Sequence, residues 1–202
     1  MSQMMTWRAA AKRIAEQEGV PNATLEVFLH VLEHISDEDW LGACHSSSTV
    51  LYMMLAEHNA ESEIVIGDVQ AQAGVFEHSW IEIDGAIFDA AVAFPHPDGY
   101  PVGGPVFAGY DLDTGLPTIN SYGIGTFEGL SADTKSITYL SIGTYYTWAD
   151  QKALVESAVE GNLPPEPLWH RATRIAQNMG VSKTSEELAS AHFEVRRTVR
   201  TI

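Results

Sequence analysis

The sequence contains a single cysteine, few basic residues and no long apolar run. One cysteine cannot form an internal disulfide, so the fold cannot depend on a disulfide framework. No segment approaches the roughly 18 consecutive apolar residues of a membrane helix, and the first residues lack the apolar centre of a signal peptide. We therefore expect a cytoplasmic protein that does not use a membrane.

Positive charge is scarce and unevenly placed. Eleven Lys and Arg residues stand against 27 Asp and Glu residues, which gives a net charge of −16. No Lys or Arg occurs between Ile14 and Thr134, a span with 20 acidic residues. Such a negative field repels phosphate backbones, so we expect no nucleic-acid partner. It would favour a cationic substrate, although an acidic surface can also serve solubility alone; the oligomeric state stays open.

The length of 202 residues and the hydrophobic fraction of 45% are enough for one domain with a full core. We divide this domain into four parts along the chain. These are N-terminal helices (1–40), a central core (41–92), a Gly- and Pro-rich excursion (93–130), and a strand with C-terminal helices (131–202).

Apolar spacing and turn residues predict the individual elements. The predicted helices are 6–17, 24–35, about 43–58, 148–160, 167–178 and 185–199. The predicted strands are 64–66, a hairpin over 78–91, and a weakly alternating strand over 136–142. We expect Arg196, Arg197 and Arg200 to lie at a solvated helix end.

The hairpin turn at Asp84-Gly85 fixes which side chains share a face of the sheet. A two-residue loop pairs Ile83 with Ala86, and the same register makes Asp89 the diagonal neighbour of His78, about 7–8 Å away. A loop of odd length would move Asp89 to the opposite face, because the side-chain period of a strand is two. The prediction of a His78–Asp89 contact therefore depends on this turn.

Cys44 precedes the apolar run of the third predicted helix. Free N–H groups and the helix dipole favour an anion there, so a thiol at this position can act as a thiolate nucleophile. We assign nucleophilic attack to Cys44, proton transfer to His78, and orientation of the imidazole to Asp89. The backbone N–H of Cys44 and the indole N–H of Trp40 are candidate donors to the oxyanion.

These residues resemble the transglutaminase-like branch of the papain-fold superfamily of cysteine peptidases and acyl transferases. The resemblance covers about residues 40–92 and rests on Cys44 at a helix start, the strand His78-Ser79-Trp80-Ile81-Glu82, and Asp89 on the next strand. Gly67 before the histidine strand also fits. The small alanines that usually follow the cysteine are replaced by serines at 46–48. The resemblance implies an α+β, papain-like fold in which helices pack on a small antiparallel sheet.

The function that we expect is hydrolysis of a peptide or amide through a thioester on Cys44. A transglutaminase or deamidase with the same three residues is one alternative, and a non-catalytic acidic module that binds a basic partner is another. We expect no metal and no cofactor, because His30 and His34 lack a third ligand and the glycine-rich segment 123–129 lacks a strand-to-helix context. The segment from Phe94 to Gly129 is expected to form a flap or wall of the substrate cleft.

Overall fold

The computed structural model describes residues 2–202. Three helices come first along the chain, six strands follow, and four further helices precede a last short strand. The α-helices are α1 (Gln3–Glu18), α2 (Asn22–Asp37), α3 (Cys44–Glu57), α4 (Ala132–Tyr139), α5 (Ile142–Glu160), α6 (Leu168–Asn178) and α7 (Ser185–His192). The β-strands are β1 (Glu63–Ala71), β2 (Gly74–Ile83), β3 (Ala86–Phe88), β4 (Val106–Phe107), β5 (Tyr110–Asp111), β6 (Ser121–Tyr122) and β7 (Thr198–Val199). A short 3₁₀ turn covers Phe127–Gly129.

The first three helices follow the predicted amphipathic pattern. The Ser2 hydroxyl accepts a hydrogen bond from the N–H of Met5 and caps α1, and Gly19 ends the helix in the left-handed region with φ of 70°. In α2, Leu25, Phe28 and Leu32 recur at helical spacing and are buried. At each end, both helices extend beyond the predicted residues by less than one turn.

The main sheet runs in the order β3-β2-β1-β6, and β7 pairs with β1 as well. The pairs β1–β2, β2–β3 and β1–β6 are antiparallel, whereas β7 is parallel to β1. The prediction of an α+β fold with an antiparallel sheet is therefore confirmed, with β7 as a parallel addition. A small second sheet pairs β4 with β5.

The two faces of the sheet are buried against different partners. Ile64, Ile66 and Ile81 belong to the main core, which contains side chains from α1, α2, α3, α5, α6 and α7. On the opposite face Val65 and Trp80 form a smaller cluster that Tyr122 of β6 helps to cover. Helices therefore pack on one face, and the other face is covered by the chain that follows β3.

Three of the predicted elements differ from the structure. Residues 136–139, expected in a strand, lie in α4, because the Ser131 hydroxyl caps that helix by accepting from the N–H of Thr134. A second serine, Ser141, caps α5 in the same way, so α5 begins at Ile142 rather than at Trp148. The helix predicted to reach Val199 ends at His192, and the chain then extends into β7.

The C-terminal segment approaches the sheet so closely that it limits the side chain at Gly67. The N–H of Arg200 donates to the carbonyl of Ile66 at 2.9 Å. A Cβ added to Gly67 would overlap the carbonyl oxygen of Arg200 and lie 3.4 Å from the ring of Trp80. Gly67 lies within β1 opposite His78 of β2, and its bare backbone lets the chain after β7 pass close to β1.

Among residues 2–202, none of the helices combines the length and the apolar composition that crossing a membrane requires.

The substitution Gly67→Ala is expected to lower the free energy of unfolding by about 1–3 kcal/mol, because the added methyl group overpacks against backbone that cannot move freely. Denaturant unfolding measures the change. The control is Gly129→Ala, whose Cβ would meet only the Thr126 hydroxyl at 3.5 Å. Equal stability of the two variants would show that the approach of β7 to β1 is not tight in solution.

Candidate active site

Cys44 is the first residue of α3, and Ala43 precedes it as the N-cap. The first N–H groups of a helix have no partner within the helix, so they point towards any group placed at its start. Gly42 adopts a φ of 65° and donates its N–H to the carbonyl of Phe94 at 2.9 Å. The turn before the helix is thereby fixed to the segment that follows Asp89, and the thiol stays partly accessible.

The hairpin register places His78 and Asp89 together. Ile83 pairs with Ala86 and Ile81 with Phe88, as the Asp84-Gly85 turn predicts. His78 Nε2 lies 2.7 Å from Asp89 Oδ2, and both side chains are almost completely buried. The contact that the sequence predicts between these two residues is therefore present.

Cys44 and His78 line the same pocket, and the thiol is near enough to act on the pKa of the imidazole that Asp89 holds. Because Nε2 is held by Asp89, Nδ1 is the nitrogen that remains for the sulfur. Burial lowers the pKa of His78. The negative charges of Asp89 and Cys44 and the hydrogen bonds to both raise this pKa by more than burial lowers it, to about 10. With a pKa of about 10, the His78 ring is an imidazolium at neutral pH.

Asp89 is held by four hydrogen bonds. Its Oδ1 accepts from the N–H groups of Ala91 at 3.1 Å and Val92 at 3.0 Å, and its Oδ2 accepts from the Tyr122 hydroxyl at 3.0 Å as well as contacting His78. Burial and the charge of Asp89 raise the pKa of Tyr122 well above its usual value of 10, so the hydroxyl stays protonated as a donor. The carboxylate is therefore fixed in position by its hydrogen-bond partners.

A second contact fixes α3 against β2 next to the first. His45 Nδ1 lies 2.6 Å from the Ser79 hydroxyl, which joins the residue after the cysteine to the residue after the histidine. Burial, helped by the positive charges of Arg197 and His78, lowers the pKa of His45 to about 3. A neutral His45 thus acts as a structural tie that sets the distance between Cys44 and His78.

Arg197 lies buried behind the cysteine rather than at a solvated helix end. Its guanidinium donates to the carbonyl of His45 at 3.1 Å and covers the ring of Tyr145 at 4.4 Å. Its Nε and one terminal nitrogen make no hydrogen bond within residues 2–202. Burial lowers the pKa of Arg197, and the charges of Tyr145, Tyr146 and Cys44 oppose this effect. Arginine keeps its proton even so, and a buried cation lies within electrostatic range of the thiol.

The thiol and the imidazole open into a pocket of about 330 Å³. One wall is the start of β2 with the turn before it, and the other wall consists of residues after Asp89. The lining residues are Gly42, Cys44, Ala73, Gly74, Val75, Phe76, Glu77, His78, Ala91, Val92, Phe94, Pro95, His96, Gly99, Tyr100 and Val102. The first part of the predicted flap or wall segment is thus a wall of this pocket.

Several residues around the site were not found from the sequence. Tyr122 lies in the Gly- and Pro-rich excursion, and its contact with Asp89 depends on β6 pairing with β1. Trp40, a candidate oxyanion donor, instead packs against Arg171 at 4.5 Å and against His34, outside the pocket lining described for residues 2–202. The backbone N–H of Cys44 remains the donor that the helix start provides.

Comparison with protein families agrees with this geometry. A family model described as the transglutaminase-like superfamily matches residues 1–95. Curated proteins and solved structures give no match. The matched range includes Cys44, His78 and Asp89, whereas Tyr122 and Arg197 lie beyond it. The resemblance to the transglutaminase-like superfamily is therefore confirmed over residues 1–95.

Proposed function

We propose that the protein is a cysteine-dependent peptidase or amidase that works through a thioester on Cys44. The observation that carries this proposal is the position of His78, which contacts the thiol on one side and Asp89 on the other within one pocket. A superfamily that generally contains cysteine enzymes matches this part of the chain. Papain-like chemistry requires this order of nucleophile, base and orienting group.

In the first half of the reaction, the Cys44 thiolate attacks the carbonyl carbon of the substrate amide. A carbon–sulfur bond forms, and the carbonyl electron pair moves to oxygen, where the Cys44 N–H donates to the resulting oxyanion. The His78 imidazolium then gives its proton to the departing amine as the carbon–nitrogen bond breaks. A thioester and a neutral imidazole remain.

In the second half, water attacks the thioester carbon and His78 accepts its proton. Collapse of the second tetrahedral intermediate breaks the carbon–sulfur bond and returns the electron pair to Cys44. The carboxylic acid leaves, and the thiolate–imidazolium pair is restored. Asp89 takes no part in bond making and holds the ring in place through Nε2.

The acceptor distinguishes hydrolysis from acyl transfer, and the same three residues serve both. Incubation with a peptide library in ¹⁸O-labelled water, with and without an added primary amine, separates them by mass spectrometry. A peptidase or amidase incorporates one ¹⁸O atom into each new carboxyl group whether or not the amine is present. Amine adducts that replace the ¹⁸O products would instead identify a transglutaminase. If the protein forms neither a product nor a thioester that hydroxylamine can trap, the remaining alternative is a non-catalytic binding module.

The substitutions Cys44→Ala and His78→Ala are each expected to lower turnover by roughly 10⁴-fold or more, because each removes a group that takes part in bond making. Steady-state assays on a peptide from the library screen measure the effect, and thermal melting monitors folding. The matched control is His170→Ala, an exposed histidine of α6. Turnover by Cys44→Ala at the wild-type rate would exclude a thioester on this residue.

The pH dependence of turnover is expected to have an alkaline limb near pH 10, because His78 must be protonated to release the amine and its pKa is raised to about 10. Asp89→Asn removes one of the charges that raise this pKa, so the limb should move to lower pH and the residual rate should fall. Asp84→Asn makes the same chemical change in the hairpin turn and should leave the limb in place. An alkaline limb that is identical in Asp89→Asn and the wild type would contradict the assigned role of Asp89.

The substitution Arg197→Met is expected to slow alkylation of Cys44 by iodoacetamide at pH 6 about tenfold, because loss of the buried cation disfavours the thiolate. Arg197→Lys keeps the charge and should recover part of the rate. The control is Arg196→Met, which removes an exposed neighbour that bonds the carbonyl of Tyr139. If Arg197 were only structural, the variant would melt earlier while its rate at pH 6 stayed the same.

A further inference from the structure

The edge of β2 beside the pocket is open. β2 pairs with β1 along its whole length, but β3 covers only Ile81 to Ile83 on the other edge. Residues 74–78 therefore have a strand on one side only. Unprotected edges of this kind present backbone donors and acceptors that another extended chain can use.

The register identifies which backbone groups face the open edge. Two residues join β1 to β2, so Ala71 and Gly74 form the hydrogen-bonded pair that closes the hairpin. Every second residue after Gly74, beginning with Phe76 and His78, therefore directs its N–H and C=O towards β1. The intervening residues Val75 and Glu77 direct theirs away from β1. Ile81 and Ile83, which follow in the same series, pair with β3 as this alternation requires.

The pocket lies along this edge. Its lining includes Cys44 and every residue from Ala73 to His78 on one side. The other side includes Phe94, Pro95, His96, Gly99, Tyr100 and Val102. An extended chain placed between these walls would reach the open groups of β2 and bring one of its carbonyl carbons to the thiol. A small isolated amide would leave most of this length unused.

The lining favours apolar side chains. Val75 and Tyr100 line the pocket and remain 55% and 75% exposed, and Phe76, Phe94 and Val102 add further apolar surface. Glu77 is the one carboxylate in the lining described for residues 2–202. Its side chain accepts hydrogen bonds from the hydroxyls of Ser131 and Thr134. The net negative charge of the protein is therefore not concentrated where a substrate side chain would lie.

We propose that the substrate is a peptide segment bound in an extended conformation as an added strand on the open edge of β2, with an apolar or aromatic side chain in the pocket beside Cys44. Main-chain hydrogen bonds to Val75 and Glu77 supply register, and the pocket selects the side chain. This proposal rests on the proposed function, because the bound peptide contains the carbonyl that Cys44 attacks. It adds the conformation and the side-chain class of that substrate.

A peptide-side test uses the Cys44→Ala protein and a positional library of acetylated, amidated hexapeptides. The library should select Phe, Tyr, Leu or Val at one central position. The tightest-binding hexapeptide then carries an N-methyl group at each backbone nitrogen in turn. Because a strand directs alternate N–H groups to one side, methylation at alternate positions should weaken binding tenfold or more and methylation between them should change it little. Selection of Lys or Arg, equal tolerance at every position, or no binding hexapeptide would overturn the proposal.

A protein-side test compares Val75→Pro with Val75→Ala. Both remove the valine side chain, but proline also removes the N–H that faces the open edge, which an edge strand tolerates. The proline variant should bind the selected hexapeptide at least tenfold more weakly than the alanine variant, with the same melting temperature. Equal affinity of the two variants would overturn the added strand, and the methylation series decides the question if the proline variant does not fold.

The two levels of inference fail in different ways. If Cys44 does not form a thioester with any library peptide, the proposed function fails. If wild-type protein cleaves peptides through Cys44 while the N-methyl series shows no alternation, the enzyme stands and the added strand is excluded.

Discussion

The buried carboxylate of Asp89 is the group on which the rest of the site depends. It is 2% exposed, and its oxygens contact His78, Tyr122 and the N–H groups of two residues that follow it. A buried carboxyl group is tolerated only when it is paired and hydrogen-bonded, so these contacts stabilise the fold at this point. They join β2, β6 and the start of the pocket wall at one point. The imidazole orientation follows from that arrangement.

The parts of the structure that local sequence determines could be predicted. The two-residue turn at Asp84-Gly85 fixed the hairpin register and with it the His78–Asp89 contact, because strand periodicity leaves one choice of face. Apolar spacing located α3, and Cys44 begins it. The prediction of a strand over 136–142 is wrong because Ser131 and Ser141 cap two helices there. The weak alternation of apolar residues does not outweigh those caps. Caps give a sharper signal than a short alternation does.

The contacts that depend on distant pairing could not be predicted. Tyr122 reaches Asp89 only because β6 pairs with β1. Arg197 is buried because the adjacent strand β7 also pairs with β1. Neither position carries a local signal, since an aromatic residue in a loop and an arginine near a C-terminus are usually exposed. Both residues therefore lie outside the range 1–95 that matches the transglutaminase-like superfamily, whereas Cys44, His78 and Asp89 of the proposed triad lie within it.

The central claim is that His78 is an imidazolium held between the Cys44 thiolate and Asp89. Nitrogen-15 NMR of the histidine rings measures this directly, with the His78 signals assigned by their loss in His78→Gln. At pH 8 both ring nitrogens of His78 should carry protons, because its pKa is raised to about 10. In Cys44→Ala the same ring should lose its proton at lower pH, since one of the two negative charges is gone. A neutral His78 ring at pH 8 in the wild-type protein, titrating near the usual value of 6.5, would contradict the account.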